Sequence, residues 1–104
     1  MTVLRNHDRW DKSNVDFRDG RVVEYNKHHP RTDMGYIDYG LSILSATSLS
    51  RYPAGGAVDL ADVYHALSLA GLLAGHEVFE RFYEIGSHQG LAETEEYFKR
   101  QARP

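Results

Sequence analysis

Apolar residues in this chain come in short clusters whose period changes along its length. MTVLRN at the start has the β-branched and apolar content of a strand, and NHDRWDK after it is polar and turn-like. In SNVDFRDGRVVEYNK, Val15 and Phe17 alternate with polar neighbours, and RVVEY follows the pair Asp19-Gly20. Asp-Gly supplies the positive φ angles of a two-residue hairpin turn at little steric cost, so two strands joined by a tight turn are predicted here. NKHHPRTD is polar, and Pro30 blocks continued sheet pairing. MGYIDYGLSIL then reads as a further apolar strand interrupted by Asp38 and Gly40.

The period lengthens in the second half. Ser, Gly and Ala with Pro53 dominate 45–57, which predicts a short helical turn and a loop. Asp59 is placed to cap a helix, since a carboxylate accepts the free N–H groups there and offsets the positive helix end. Leu60, Val63, Tyr64 and Leu67 follow at helical spacing. Gly71 is tolerable within such a helix and Gly75 suits a left-handed stop. HEVFERFYEI predicts a strand ending near Ile85. A last helix is expected from His88 with Ser87 as cap, Leu91, Thr94 and Phe98 on one side, and Lys99, Arg100 and Arg103 toward its end. The order strand, hairpin, strand, helix, strand, helix predicts an α/β or α+β domain with a mixed sheet, occupying 1–104 as one unit.

Composition changes this picture mainly by exclusion. With 41% apolar and 26% charged residues over 104 positions, the chain can bury a core and is not of disordered type. Twelve Lys and Arg against fifteen Asp and Glu leave a net charge of -3, so there is no basic field for nucleic acid. The absence of cysteine removes disulfides, thiolate zinc sites and a cysteine nucleophile. No apolar stretch approaches the roughly 20 residues of a membrane span, and the start lacks a secretory core. The expectation is a cytoplasmic protein without membrane contact.

Three positions stand out chemically. Glu84 sits where an apolar run turns into a helix through Gly86-Ser87. At the C-terminal edge of a sheet such an acid can hold Mg²⁺; the plain alternative is an exposed strand-end acid. Lys27, after the hairpin, can meet a phosphate as a flexible point charge, although most lysines are simply solvated. Asp38 lies within an apolar strand, where a carboxylate is unfavourable unless paired or facing a polar cavity. There it can accept hydrogen bonds from sugar hydroxyls, with Gly40 allowing close backbone approach; the alternative is a strand-end acid facing water. The six histidines show no i, i+4 pairing, so no histidine metal site is expected. G-x-S-x-G is absent, and Gly55-Gly56 lacks the Lys-Ser/Thr of a P-loop.

Taken in order, MTVLRN, SNVDFRDGRVVEYNK, MGYIDYGLSIL and FYEIGSHQGLAETEEYF resemble the C-terminal half of the sugar-phosphate nucleotidyltransferases, the nucleoside-diphosphate-sugar pyrophosphorylases. The resemblance runs over nearly the whole chain. It implies a Rossmann-like mixed α/β fold and nucleotide-sugar biosynthesis: a sugar 1-phosphate reacts with a nucleoside triphosphate, with Mg²⁺, to give nucleotide-sugar and pyrophosphate. Lys27 matches the lysine of the family's Glu-Lys-Pro motif, which contacts the sugar phosphate and is the catalytic candidate. Asn26 and His28 stand where that motif has Glu and Pro, and Glu24 is the substitute hydroxyl acceptor. Asp38, Tyr39 and Gly40 resemble the Asn-x-Gly sugar-binding segment, with Asp in place of Asn. Glu84 and Gly86 correspond to the Asp-x-Gly step whose acid binds Mg²⁺. The Gly-rich G-x-G-T-R signature that receives the nucleotide does not occur. The resemblance therefore implies the sugar-phosphate side of such an enzyme, inactive alone, working with a separate N-terminal half or as a noncatalytic, self-associating module.

Overall fold

The computed structural model describes residues 1–102. Its strands are β1 (Thr2–Arg5), β2 (Val15–Arg18), β3 (Arg21–Tyr25), β4 (Tyr36–Asp38) and β5 (His76–Val78), with helices α1 (Leu60–Leu69) and α2 (His88–Gln101) and a 3₁₀ turn at Ala46–Leu49. The five strands form one sheet in the order β3-β2-β4-β1-β5. Only β1 and β5 run parallel; the other pairs are antiparallel. The hairpin turns where expected, with Asp19 at φ 51° and Gly20 at φ 77°, both in the left-handed region that a two-residue turn demands. A register shift between Asp16 and Phe17 marks a bulge on β2.

Val3, Val15 and Val22 are fully buried, and α1 lies across β3, where Ala61 and Tyr64 join them in one core cluster. Full burial of such a side chain contributes roughly 1.5–3 kcal/mol, so these few positions carry much of the fold. Tyr25 and Tyr64 meet edge to face, centroids 5.6 Å apart. Asp59 caps α1 by accepting the Ala61 N–H at 2.9 Å. Leu60, expected on the inner face, is 46% exposed, and Ala61 takes the buried position. Ser68, also buried, accepts the Tyr25 N–H at 3.0 Å and donates to the His65 carbonyl at 2.8 Å, tying the last turn of α1 to the end of β3.

Three expectations are corrected. The left-handed stop after α1 is Gly71, at φ 73°, because the helix already ends at Leu69. Gly75 is needed for space instead: a Cβ there would lie 2.5 Å from the Phe17 ring. The predicted strand over HEVFERFYEI is only three residues long, because β5 pairs solely with the short β1, in the register Thr2↔His76 to Leu4↔Val78. Beyond Val78 there is no partner, and 79–87 runs as irregular chain. The strand expected over MGYIDYGLSIL is likewise short: β4 stops at Asp38, and Gly40 follows at φ 92°.

The segment 73–76 bridges both sides of the sheet. The Val22 N–H donates to the Leu73 carbonyl at 3.0 Å and Gly75 N–H to the Gly20 carbonyl at 2.9 Å, while His76 N–H donates to the Met1 carbonyl at 2.9 Å. Helix α2 is capped as predicted, Ser87 Oγ accepting the Gly90 N–H at 2.9 Å, and Lys99 and Arg100 lie in its last turn. Arg103 lies outside the described residues. Leu91 and Phe98 are exposed, so the apolar side of α2 is largely uncovered.

Candidate functional site: a cleft between the sheet and the start of the last helix

A polar loop builds one wall. Buried Asn6 donates from Nδ2 to the Asp11 carbonyl at 2.7 Å and to Ser13 Oγ at 3.0 Å, and its Oδ1 accepts the Trp10 N–H at 3.0 Å. Ser13 in turn exchanges bonds with Asp8, whose carboxylate takes the Ser13 N–H at 2.6 Å while the Asp8 N–H donates to Ser13 Oγ at 2.9 Å. These bonds to the Ser13 backbone and side chain hold the Asp8 carboxyl below the usual range. His7 and Asp8 adopt left-handed φ angles of 46° and 60° to make the turn, which presents Trp10 and Asp11 at the rim.

The cleft they flank encloses about 560 Å³. Lys27 enters from the end of the hairpin, Asp38 from β4, and Glu84 from the irregular segment before α2. Tyr25, Trp10 and Phe82 supply aromatic surface between them. The three residues singled out from separate parts of the sequence therefore converge on one space, of a size suited to a small ligand.

Each polar group there has a distinct state. Asp38 is half-buried: its Oδ1 accepts the Gly40 N–H at 2.9 Å, and its own N–H donates to Asn14 Oδ1 at 3.0 Å. Burial raises its carboxyl above the ordinary value, opposed in part by the Gly40 bond and by the N-terminal ammonium. Tyr25 is pushed up to about 12, by burial first and then by the charges of Asp38 and Asp59. A tyrosine hydroxyl is protonated at neutral pH with or without this shift and can donate. Lys27 is exposed, and among the described residues it has no carboxylate within salt-bridge distance.

Glu84 has work to do within the backbone. Its Oε2 accepts the Gly86 N–H at 2.7 Å and its Oε1 the Ser87 hydroxyl at 2.7 Å, while Ser87 caps α2. A carboxylate in this turn orders the helix entry and answers the positive helix end. The premise that Glu84 ends a strand is corrected: it lies past β5, in irregular chain. Each oxygen uses one lone pair in these bonds and keeps another, so Glu84 fits a hard cation as a single ligand. Among the described residues no further acid or imidazole joins it in a three-donor cluster.

The remaining predicted residues lie elsewhere. Glu24 is paired with Arg31, whose guanidinium also reaches Asp16 at 2.8 Å and Asp33 at 3.0 Å; it does not line the cleft. Tyr39 packs edge to face on Phe82, centroids 6.0 Å apart, and faces a neighbouring open hollow with Tyr83 and Tyr97. Gly40 is exposed and serves Asp38 through its N–H. Sequence reading missed Trp10, Asn14 and Tyr25. The polar, turn-like stretch NHDRWDK marks this loop in the sequence, but not the Asn6–Ser13 bonds that order it.

Comparison with protein families, with characterised proteins and with solved structures finds no match to this chain. Among the described residues no helix is long and apolar enough to cross a membrane.

Proposed function

We propose that the cleft binds a phosphorylated carbohydrate, and that the chain is the sugar-phosphate side of a nucleotidyltransferase of Rossmann-like ancestry, working in the cytoplasm. The observation that carries this reading is the meeting of Lys27, Asp38 and Glu84 around one cleft with aromatic walls. An ammonium on a flexible stem suits a phosphate dianion. Asp38 and the Tyr25 hydroxyl offer an acceptor and a donor for sugar hydroxyls, and Trp10 and Phe82 offer flat apolar surface for the C–H face of the ring.

In the reaction, an oxygen of the sugar phosphate bonds to the α-phosphorus of a nucleoside triphosphate and the bond to the β-phosphate bridging oxygen breaks, releasing pyrophosphate. Lys27 would hold the attacking phosphate and offset its charge, and Asp38 would fix the sugar's orientation, so that positioning and electrostatics supply the catalysis. A Mg²⁺ ion, when bound, would neutralise phosphate charge; Glu84 is the residue here that would help hold it. Base selection belongs to the nucleotide-binding half, whose Gly-rich signature this sequence does not contain.

Titration calorimetry with a panel of sugar 1-phosphates tests this. Weak saturable binding is expected, falling by roughly tenfold in Lys27→Ala for loss of one charge-assisted contact. Absence of binding for every sugar phosphate, or equal binding in the variant, would remove the reading.

A second reading, a noncatalytic self-associating or docking module, is favoured by the exposure of Leu91 and Phe98 along α2 and of Leu41 and Ile43 beside β1. Light scattering after size exclusion is its check; a monomer at every concentration counts against self-association.

A further inference from the structure

We propose that His28, Asp59 and Asp62 form a site for one divalent transition-metal ion of the Zn²⁺ type. His28 lies in the polar loop after β3, whereas Asp59 caps α1 and Asp62 sits in its first turn. The fold sets His28 Nε2 3.5 Å from Asp59 Oδ2 and 3.6 Å from Asp62 Oδ1. One donor atom from each residue lies within 4.8 Å of the other two. Bonds of about 2.1 Å meeting at a tetrahedral angle put two zinc ligands roughly 3.4 Å apart, so both imidazole–carboxylate separations already match a ligand set. Asp62, the third donor, is an exposed side chain.

Asp59 divides its two oxygens. Oδ1 accepts the Ala61 N–H at 2.9 Å, which fixes the carboxylate, and Oδ2 turns toward the imidazole. The helix dipole accounts for acids in a first turn, but not for a nitrogen donor delivered to them by another loop. One nitrogen and two carboxylate oxygens suit Zn²⁺ or Co²⁺ better than Mg²⁺, which favours oxygen ligands and retains its water. Three protein ligands leave the fourth position to water. The group contributes no residue to the cleft and is independent of the sugar-phosphate reading. A bound ion would join the loop that carries Lys27 to the start of α1.

The test uses the whole chain, stripped by chelator, in phosphate-free buffer without sugar phosphate. Co²⁺ is followed by its visible d–d absorption and Zn²⁺ by calorimetry. One equivalent is expected to bind, with affinity lower by about tenfold or more in His28→Ala and in Asp62→Asn. Both variants keep the Asp59 cap, and far-UV circular dichroism verifies α1. His29→Ala, which changes the adjacent exposed imidazole, is expected to bind as the parent does. Failure to bind one equivalent, undiminished affinity in either ligand variant, or loss of binding in His29→Ala would overturn the site.

Discussion

The two ends of this molecule are held together by different forces. From Met1 to Val78 the chain is organised by apolar burial: every large buried aliphatic or aromatic residue lies there, on the sheet, on α1 or on their connections. From Phe79 onward burial nearly stops. Phe79 is 83% exposed, and in α2 only Gly90 is buried. Polar and aromatic contacts hold this end instead. The Arg81 guanidinium stacks 3.7 Å from the Trp10 ring centroid and 4.2 Å from that of Tyr83, and bonds Glu93 at 2.8 Å. Tyr83 and Tyr97 rings lie 4.5 Å apart. The candidate cleft is assembled across the joint, with Lys27 and Asp38 on the side organised by apolar burial and Glu84 on the other. Burial in the first part carries most of the stability, whereas the cleft draws on both parts, with Tyr25 serving core and cleft alike.

The sharpest way to break the comparison is a matched pair of truncations. Leu73→Ala, in the core, is expected to destabilise by about 2–5 kcal/mol, whereas Leu91→Ala on α2 should stay within about 0.5 kcal/mol. Urea denaturation checks both, and equal losses would mean the last helix belongs to the core after all. Gly90→Ala comes next. In an ordinary helix that change stabilises, but here the added Cβ would sit 2.5 Å from the Glu84 carbonyl oxygen and closer still to its carboxylate. A loss of about 1–3 kcal/mol is expected from this overpacking. Hydrogen exchange should show it confined to α2, with sheet amides unchanged.

The smallest effect concerns pH. The Asp38 carboxyl is raised by burial, so the folded state binds its proton more tightly than the unfolded state does. Its contribution to stability is present below the ordinary aspartate value and is lost as pH rises through the raised one. Asp38→Asn should therefore be slightly more stable than the parent at pH 7, with the difference vanishing in acid. Thermal melts across pH read this directly, and a variant less stable at neutral pH would contradict it.

What was legible in the sequence follows the same division. The hairpin was readable because Asp19-Gly20 dictates its own turn, and both helix starts because Asp59 and Ser87 act on N–H groups two or three residues away. The length of β5 was not, since HEVFERFYEI has strand composition throughout and the limit is set by β1, a distant partner with only four residues. Gly75 was misread for a similar reason: its constraint is the Phe17 ring, not its own backbone angle. Lys27, Asp38 and Glu84 were each found as single residues, but their meeting in one cleft depends on packing. Glu24 is the nearest acid to replace the one missing at Asn26, but the Arg31 guanidinium claims it from the following loop. His28 shows the same limit from the other side, because its acidic neighbours carry no recognisable spacing to it.

The bridge at 73–76 has a consequence for how the molecule is made. The hairpin's outer strand gains its last partners only from backbone that follows α1, so its rim stays open until most of the chain exists. Assembly of this fold should accordingly wait on a late, long-range closure and proceed slowly for its size. Once shut, the seam covers part of an edge that would otherwise invite strands from other chains.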